Sequence, residues 1–286
     1  MLDLRPEGDG VRVITAGGDS HGRLVIGADG SGSLVRRRLV DRAKGRTARA
    51  VVCDVPAGES SWSGFETRRY DFDFADLARG VRGYRWAFPC LIDGRPHVNV
   101  GAYSLTPLGA ALNASLARYL AAVTASQVRW QAFPIRWYRP GTRLAAPHVF
   151  LAGDAAGVDP LMGEGISVAM EYGSYAAAAA QAAFRTADFS GEAYQRAVEA
   201  SWFGRKLRRL HLAARLFYGP AWPLWFGVAE HSRRARGIGL RWYNGVDGWD
   251  RRSGWAVLRS VLGIPYPTER RQHSERGHTL STSGRL

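Results

Sequence analysis

The stretch covering residues 149–184 constrains the fold of this chain more than any other. It opens with an apolar run, residues 149–152, that is typical of a buried strand, and continues through a turn rich in glycine and acidic residues. From Ile166 a pattern of small and apolar side chains predicts a long helix. Close packing of that helix against a sheet or a neighbouring helix is predicted by its small residues Gly173, Ala169, Ala176, Ala177 and Ala180. Free N–H groups and partial positive charge at a helix start attract anions. The segment alone fits a site for an anionic or nucleotide-like ligand and an ordinary strand–turn–helix connection about equally well.

Two further segments upstream carry motifs. Residues 24–36 have the same order of apolar strand, acidic turn with Asp29 and Gly30, and helix start with Ser33 and Arg36. Residues 84–89 read Tyr-Arg-Trp-Ala-Phe-Pro. A second strand–turn–helix segment shifts the balance towards a ligand site.

These segments resemble a known superfamily. Residues 27–36 resemble the Asp-Gly motif of flavoprotein hydroxylases, and residues 152–166 resemble their Gly-Asp motif. Residues 84–89 are similar to the Tyr-x-Trp-x-Phe-Pro segment of the geranylgeranyl reductase branch, although Cys90 stands where that pattern has lysine. The three motifs follow the order of the family and cover roughly residues 12–184.

The resemblance implies a fold. The predicted fold class is α/β (α+β): a partial FAD-binding Rossmann-like domain with an inserted antiparallel β-sheet substrate domain and a C-terminal helical region. Short aromatic or β-branched runs between about residues 47 and 138 also predict the antiparallel sheet, with one covered face. The predicted boundaries are 1–46 and 141–189 for the two parts of the FAD-binding domain, 47–140 for the substrate domain, 190–268 for the helical, basic and aromatic region, and 269–286 for a disordered tail.

The resemblance also implies residue roles. Asp154 would bind the ribitol or pyrophosphate region of FAD, and the turn at 160–165 would face the pyrimidine end of the flavin, where N–H donors stabilise the anionic reduced form. Asp29 would brace the cofactor loops, and Arg36 would lie near the nicotinamide or pyrophosphate approach. The candidate cofactor-binding residues are Asp29, Gly30, Arg36, Gly153, Asp154, Pro160, Gly163, Glu164, Gly165 and Ile166. The candidate residues of the substrate cavity are Tyr84, Trp86 and Phe88. No catalytic residue is assigned, and NAD(P)H and ferredoxin are both candidate electron donors.

One element of the family is missing from the sequence. These flavoproteins hold the FAD pyrophosphate on a G-x-G-x-x-G turn, which this chain lacks. The segment 17–22 has phosphate-loop spacing, but Arg23 follows it, so we expect a hairpin turn between strands formed by residues 11–15 and 24–26. A first βαβ unit of about a hundred residues is therefore expected to be absent. The chain would be a fragment, or another polypeptide would supply that unit.

Positive charge is concentrated towards the C-terminus. The formal net charge is +14, and residues 201–286 hold sixteen Arg and Lys against five Asp and Glu, with six of the ten tryptophans. Residues 217–226 are apolar and contain two prolines, and beside the following arginines they predict peripheral contact with an anionic membrane surface. The alternative is a helical cap over the substrate cavity. Two distant cysteines and no signal peptide predict a cytoplasmic protein, with attachment at the inner face of the membrane.

The sequence shows no pattern typical of a metal site, a nucleophilic hydrolase or a nucleic-acid-binding protein. The seven histidines are scattered, so no metal is expected, and neither a nucleophile elbow nor a nucleic-acid-binding motif occurs. The predicted function is an FAD-dependent oxidoreductase that reduces carbon–carbon double bonds of a hydrophobic, isoprenoid or lipid-like small molecule. One alternative is a flavin-dependent monooxygenase or halogenase, although the halogenase pattern Trp-x-Trp-x-Ile-Pro is absent. The other is a truncated, non-catalytic remnant that docks on membranes.

Overall fold

A computed structural model describes residues 1–42, 47–106 and 109–243, together with residues 256 and 259. The strands in those ranges are β1 (Asp3–Glu7), β2 (Gly10–Thr15), β3 (Gly18–Gly22), β4 (Val25–Gly27), β5 (Thr47–Pro56), β6 (Asp71–Asp73), β7 (Gly83–Ile92), β8 (Arg95–Ser104), β9 (Gln131–Arg136), β10 (Ala145–Ala146) and β11 (Val149–Leu151). The α-helices are α1 (Gly109–Val123), α2 (Ile166–Thr186), α3 (Glu192–Ala200), α4 (Trp202–Phe217), α5 (Trp222–His231) and α6 (Arg233–Tyr243). A short π-helical turn covers Arg36–Val40. The predicted disordered tail, residues 269–286, lies outside the described residues.

Strands β4 and β11 run parallel in a small sheet ordered β10-β11-β4. Phe150 pairs with Ile26, and Leu151 pairs with Gly27. Because parallel strands end at the same edge of a sheet, the turns that follow β4 and β11 are neighbours. Both strand–turn–helix segments predicted from the sequence are therefore confirmed, and they meet at one edge.

The predicted hairpin between residues 11–15 and 24–26 was wrong. β2 pairs with β1 on one side and with β3 on the other, through a tight turn that sets Thr15 opposite Gly18. The Thr15 hydroxyl donates to the Gly18 carbonyl at 2.6 Å and accepts the Gly17 N–H at 3.2 Å. β3 reads Gly-Asp-Ser-His-Gly, so its hydrophobic pattern gave no sign of a strand. A solvated strand is held by backbone pairing and needs no apolar side chains, and β4 is left to pair with β11.

The larger sheet is antiparallel, as predicted, with the order β6-β7-β8-β5-β9. Helix α1 covers one face, where Leu112 and Leu116 pack against Val51, Val98 and other small apolar side chains of the sheet. Because side chains alternate along a strand and Ala87 faces α1, the other face of β7 carries its aromatic residues. These are Tyr84, Trp86 and Phe88. The fold class is α/β (α+β), as predicted.

Helix α2 has one buried face and one exposed apolar face. Val168 and Tyr172 on the buried face belong to the core that surrounds β11. On the other face Ile166 is 79% exposed and Met170 is 71% exposed. A Cβ at Gly173 would find no atom within 4 Å. The predicted close packing holds at Ala176, which is buried, and at Ala180, which packs against the core. Within the described residues it does not hold at Gly173, which lies on the open face.

Residues 1–222 form one compact unit, and the chain from Pro223 onward forms a second. In the second unit the Ser232 hydroxyl accepts the Ala235 N–H at 3.1 Å, and so caps the start of α6. Within the described part of the chain, none of the helices combines the length and apolarity needed to cross a bilayer. The bounds of the five predicted segments stay a prediction.

Candidate functional site

The turns after β4 and β11 are joined by Ser31. Its Oγ lies 2.7 Å from Oδ2 of Asp154 and 2.6 Å from the carbonyl oxygen of Pro134. A hydroxyl has one hydrogen to donate, so these two acceptors share it. The Asp154 carboxylate therefore lies where the two predicted motifs meet, although Ser31 is 123 residues away in sequence.

Asp29 points into its own helical segment. Its Oδ2 accepts the N–H groups of Leu34 at 2.7 Å and Val35 at 3.2 Å, as a capping residue does. This carboxylate fixes the loop that carries Gly30 and Ser31, and through Ser31 it supports the position of Asp154.

A groove of about 380 Å³ lies between the two turns and α2. Its lining is small or apolar except for one carboxylate: Ile26, Ala28, Gly30, Ala152, Gly153, Asp154, Ala169, Gly173, Ala176 and Ala177. Gly30 and Gly153 have φ values of +77° and +57°, which L side chains rarely adopt. With so few side chains in its walls, the groove lets a ligand approach the backbone closely.

The turn at residues 159–165 is held by three tyrosine hydroxyls. Those of Tyr103, Tyr218 and Tyr84 donate to three successive carbonyls, of residues 160, 161 and 162, at 3.0, 2.6 and 2.7 Å. The tyrosines come from β8, from the end of α4 and from β7. Gly163, with φ of +70°, lies against the Tyr103 ring, where a Cβ would come within 2.7 Å of a ring atom. The shape of this turn is thus set by elements that are distant in sequence.

Asp159 fixes the same turn from inside. Its carboxylate accepts the N–H groups of Leu161 at 2.6 Å and Met162 at 3.1 Å. The residue is only 2% exposed, and this burial raises the pKa of the carboxyl from 3.8 to about 7. The negative charge of Glu164 raises the pKa further, whereas the positive charge of Lys206 lowers it.

The N–H groups at the end of this turn are available to a ligand. Among the described residues, those of Glu164, Gly165 and Ile166 have no hydrogen-bond acceptor. The Glu164 carboxylate instead accepts from the N–H and the hydroxyl of Ser167, at 3.0 and 2.6 Å. Oδ1 of Asp154 lies 3.4 Å from the position that a Cβ would take at Gly165, so the turn borders the groove.

Arg36 is buried and does not line the groove. Its Nη1 donates to the Asp41 carbonyl at 3.1 Å, and its N–H donates to the Ser33 hydroxyl at 2.9 Å. Burial, and then the positive charge of Arg36, lowers the pKa of Arg136 to about 10. The two guanidinium groups therefore influence each other in the interior, a pair that the sequence analysis did not identify.

The three candidate residues of the substrate cavity share one face of the sheet but differ in exposure. Tyr84 is buried, with its hydroxyl bonded to the turn at 159–165. Trp86 and Phe88 are partly exposed and stack with their ring centroids 6.1 Å apart. The Trp86 ring lies over Gly101, and its Nε1 donates to Oδ1 of Asn99 at 2.7 Å. Trp86 and Phe88 thus form an oriented apolar surface.

The chain resembles solved structures with the same arrangement of elements. It is similar to a geranylgeranyl bacteriochlorophyll reductase-like protein from Thermoplasma acidophilum, with 22% identity and a TM-score of 0.59 over 76% of this chain and 57% of that protein. The two share a fold. This chain therefore spans little more than half the length of that protein.

Two further similar structures have lower TM-scores. The OxyS anhydrotetracycline hydroxylase from Streptomyces rimosus is 20% identical, with a TM-score of 0.46 over 93% of this chain and 52% of the hydroxylase. The tetracycline destructase Tet(51) is 13% identical, with a TM-score of 0.49 over 76% of this chain and 59% of the destructase. A comparison with protein-family models finds no match, and no curated protein matches the sequence.

Sequence reasoning found the two turns but not the side chains that hold them. Asp159 was counted only as turn material, and its place directly before Pro160 in a glycine-rich turn was the available signal. Ser31 likewise follows the Asp-Gly pair directly. Tyr103 and Tyr218 have no local signal, because their partners lie 57 residues away in each case.

Proposed function

We propose that this chain forms the larger part of an FAD-dependent oxidoreductase that reduces carbon–carbon double bonds of a hydrophobic, isoprenoid or lipid-like substrate. The observation that carries the proposal is the junction of two glycine-rich turns at Asp154, beside the available N–H groups of Gly165 and Ile166. Nucleotide cofactors bind at the edge where parallel strands end, and this junction lies at such an edge.

The lining of the groove would suit part of FAD in its chemistry. Walls of glycine and alanine leave room for a polyhydroxylated chain against the backbone, and the Asp154 carboxylate would accept hydrogen bonds from its hydroxyls. The N–H groups of Gly165 and Ile166, at the start of α2, would donate to the pyrimidine end of the flavin. When bound and reduced, the flavin would supply the hydride for the double bond.

The chain's own residues would hold the reacting groups in place. The three tyrosine hydroxyls and Asp159 fix the turn in advance, so its donors need no rearrangement when a ligand arrives. Trp86 and Phe88 offer an apolar surface to a hydrophobic substrate. The proposal assigns no residue to the proton that completes the reduction, and it admits NAD(P)H or ferredoxin as the electron donor.

The open edge of the small sheet supports the expected further βαβ unit. Among the described residues β4 is an edge strand, and its Ile26 is 45% exposed. Ile166 and Met170 lie on the exposed apolar face of α2. Gly173, on the same face, lines the groove together with Ile26 of β4. Parallel sheets are normally covered on both faces, so these apolar groups call for a covering element. We infer that a βα unit carrying the pyrophosphate-binding turn pairs along β4 and covers this face.

The proposal is tested by flavin content. A protein that combines this chain with such a G-x-G-x-x-G unit should purify yellow, and Asp154→Ala should bleach it because a charged hydrogen-bond acceptor is lost. Asp188→Ala is the matched control, since the Asp188 carboxylate also accepts one hydrogen bond, in its case from the Ser190 N–H at 3.0 Å, but lies beyond the other end of α2. The measurement is flavin absorbance per protein. An unaltered protein without flavin, even after FAD is added, would refute the proposal.

Oxygen dependence separates the reductase from its closest alternative. A reductase should form the saturated product from an isoprenoid substrate and a reduced donor without oxygen. A product that forms only with oxygen would identify a monooxygenase or halogenase on the same site. If the protein had neither flavin nor activity, the non-catalytic remnant that docks on membranes would be the remaining alternative.

A further inference from the structure

Helix α5 exposes an apolar face. None of the residues in α5 is buried. Leu224 is 65% exposed, and Trp225 and Val228, at spacings of one and four residues from it, are exposed as well. Positions with these spacings lie within an arc of about 100° on a helix. Exposed apolar side chains that share a face mark a surface for binding.

Helix α6 follows directly and is basic. Its sequence, RRARGIGLRWY, contains four arginines and no acidic residue. Arg233, Arg234 and Arg241 fall within an arc of about 100°. Arg233 and Arg234 are exposed, and neither forms an ion pair with another described residue. This face of α6 therefore presents positive charge to the solvent.

Contacts at the junction hold the two helices together. Nη1 of Arg236 donates to the carbonyl of Ala229 at 3.1 Å and also to that of Glu230, both near the end of α5. Ser232, between the helices, caps α6. The two helices are thus parts of one structural element.

We propose that α5 and α6 attach this protein to the surface of an anionic membrane. The side chains of Leu224, Trp225 and Val228 enter the boundary between headgroups and acyl chains, where tryptophan is favoured. Arg233 and Arg234 of α6 meet the lipid phosphates. At ten residues α5 is too short to span a bilayer, so it lies in the interface. This proposal does not depend on the proposed flavin chemistry.

The structure changes which residues are available for the membrane contact predicted from the sequence. Residues 217–226 were expected to make the contact, but the Phe217 ring packs against Phe74 and Tyr218, with centroids 5.3 and 5.5 Å apart. Phe217 is therefore used inside the first unit. The exposed side chains of Leu224, Trp225 and Val228 replace it as the apolar part of the surface.

Vesicle flotation with the soluble fraction of the 286-residue chain is the test, because bound protein rises with the vesicles whereas aggregated protein sediments. We expect binding to phosphatidylcholine vesicles that contain about 30% phosphatidylglycerol, and at least tenfold weaker binding to phosphatidylcholine alone or in about 1 M salt. The pair Arg233→Gln and Arg234→Gln should weaken binding about tenfold or more, since each basic group near the surface contributes. The pair Leu224→Ser and Trp225→Ser should weaken binding to the vesicles both at low salt and in about 1 M salt.

Matched controls come from the first unit. The pair Arg95→Gln and Arg129→Gln removes two exposed arginines of the first unit, and Leu91→Ser removes an exposed leucine. Both control variants should bind the vesicles as tightly as the unaltered chain does. Circular dichroism shows whether each variant is folded. Binding that ignores lipid charge and salt would overturn the proposal, as would variants of α5 and α6 that bind like the controls. Binding to duplex DNA or polyglutamate without binding to vesicles would make this a polyanion surface and would also overturn it.

Discussion

At the scale of single residues, Asp159 links the candidate site to stability. Its buried carboxyl has a pKa raised to about 7, so the folded protein keeps a proton that the unfolded chain releases near pH 4. Between these pH values the native state binds more protons than the unfolded state. The free energy of unfolding should therefore fall as pH rises from about 4 to about 7, and level off above that.

We expect Asp159→Asn to remove this pH dependence, because the amide does not ionise. The decrease in the free energy of unfolding that this variant removes is on the order of 4 kcal/mol, which is the free-energy equivalent of the rise in pKa from 3.8 to about 7. Urea denaturation at several pH values between about 4.5 and 8 measures it. Asp188→Asn, which changes an exposed carboxylate, should keep the slope of the unaltered chain. Identical pH profiles for the unaltered chain and Asp159→Asn would show that the buried carboxyl is not the cause.

At the scale of elements, α2 combines a packed face with an open one, and Gly173 lies on the open one. A glycine inside a helix is less favourable than alanine by roughly 1 kcal/mol, and a Cβ at Gly173 would meet no atom. Selection for stability alone would therefore favour alanine. The glycine makes sense if the groove that it lines holds a ligand.

Gly173→Ala should consequently raise the free energy of unfolding by up to about 1 kcal/mol and weaken FAD binding in the flavin-loaded protein. Gly227→Ala in α5 is the matched control, because a Cβ there also meets no atom. That variant should gain similar stability and bind FAD as before. Unfolding curves and flavin titration are the two measurements. A Gly173→Ala protein with unchanged FAD affinity would argue against a ligand in the groove.

At the scale of the whole molecule, the proposed FAD site would take two glycine-rich turns from this chain, whose sequence has no G-x-G-x-x-G turn. We expect the 286 residues alone to bind FAD weakly or not at all, to show no reductase activity, and to aggregate through the exposed β4 edge and the apolar face of α2. Isothermal titration with FAD measures the affinity. Tight, stoichiometric binding would contradict this account of how the site is assembled.

Much of this architecture followed from local sequence patterns. The apolar run before Asp154, the long helix from Ile166 and the short strands of the antiparallel sheet were predictable because hydrophobic period and glycine-rich turns are properties of neighbouring residues. β3 was missed because its residues are polar and its stability comes from the backbone pairing with β2. Where the pattern failed, the stabilising partner was another part of the chain.

The sequence by itself determined the two strand–turn–helix segments and the positions of Asp29 and Asp154. Only the tertiary structure decided that Ser31 joins the two turns, that Tyr103 and Tyr218 hold the carbonyls of one of them, and that Asp159 is buried beneath it. The physical reason is that a hydrogen bond or a buried charge depends on which groups the fold brings within about 3 Å, and on how much water it removes from around them. Neither quantity is a property of a local segment.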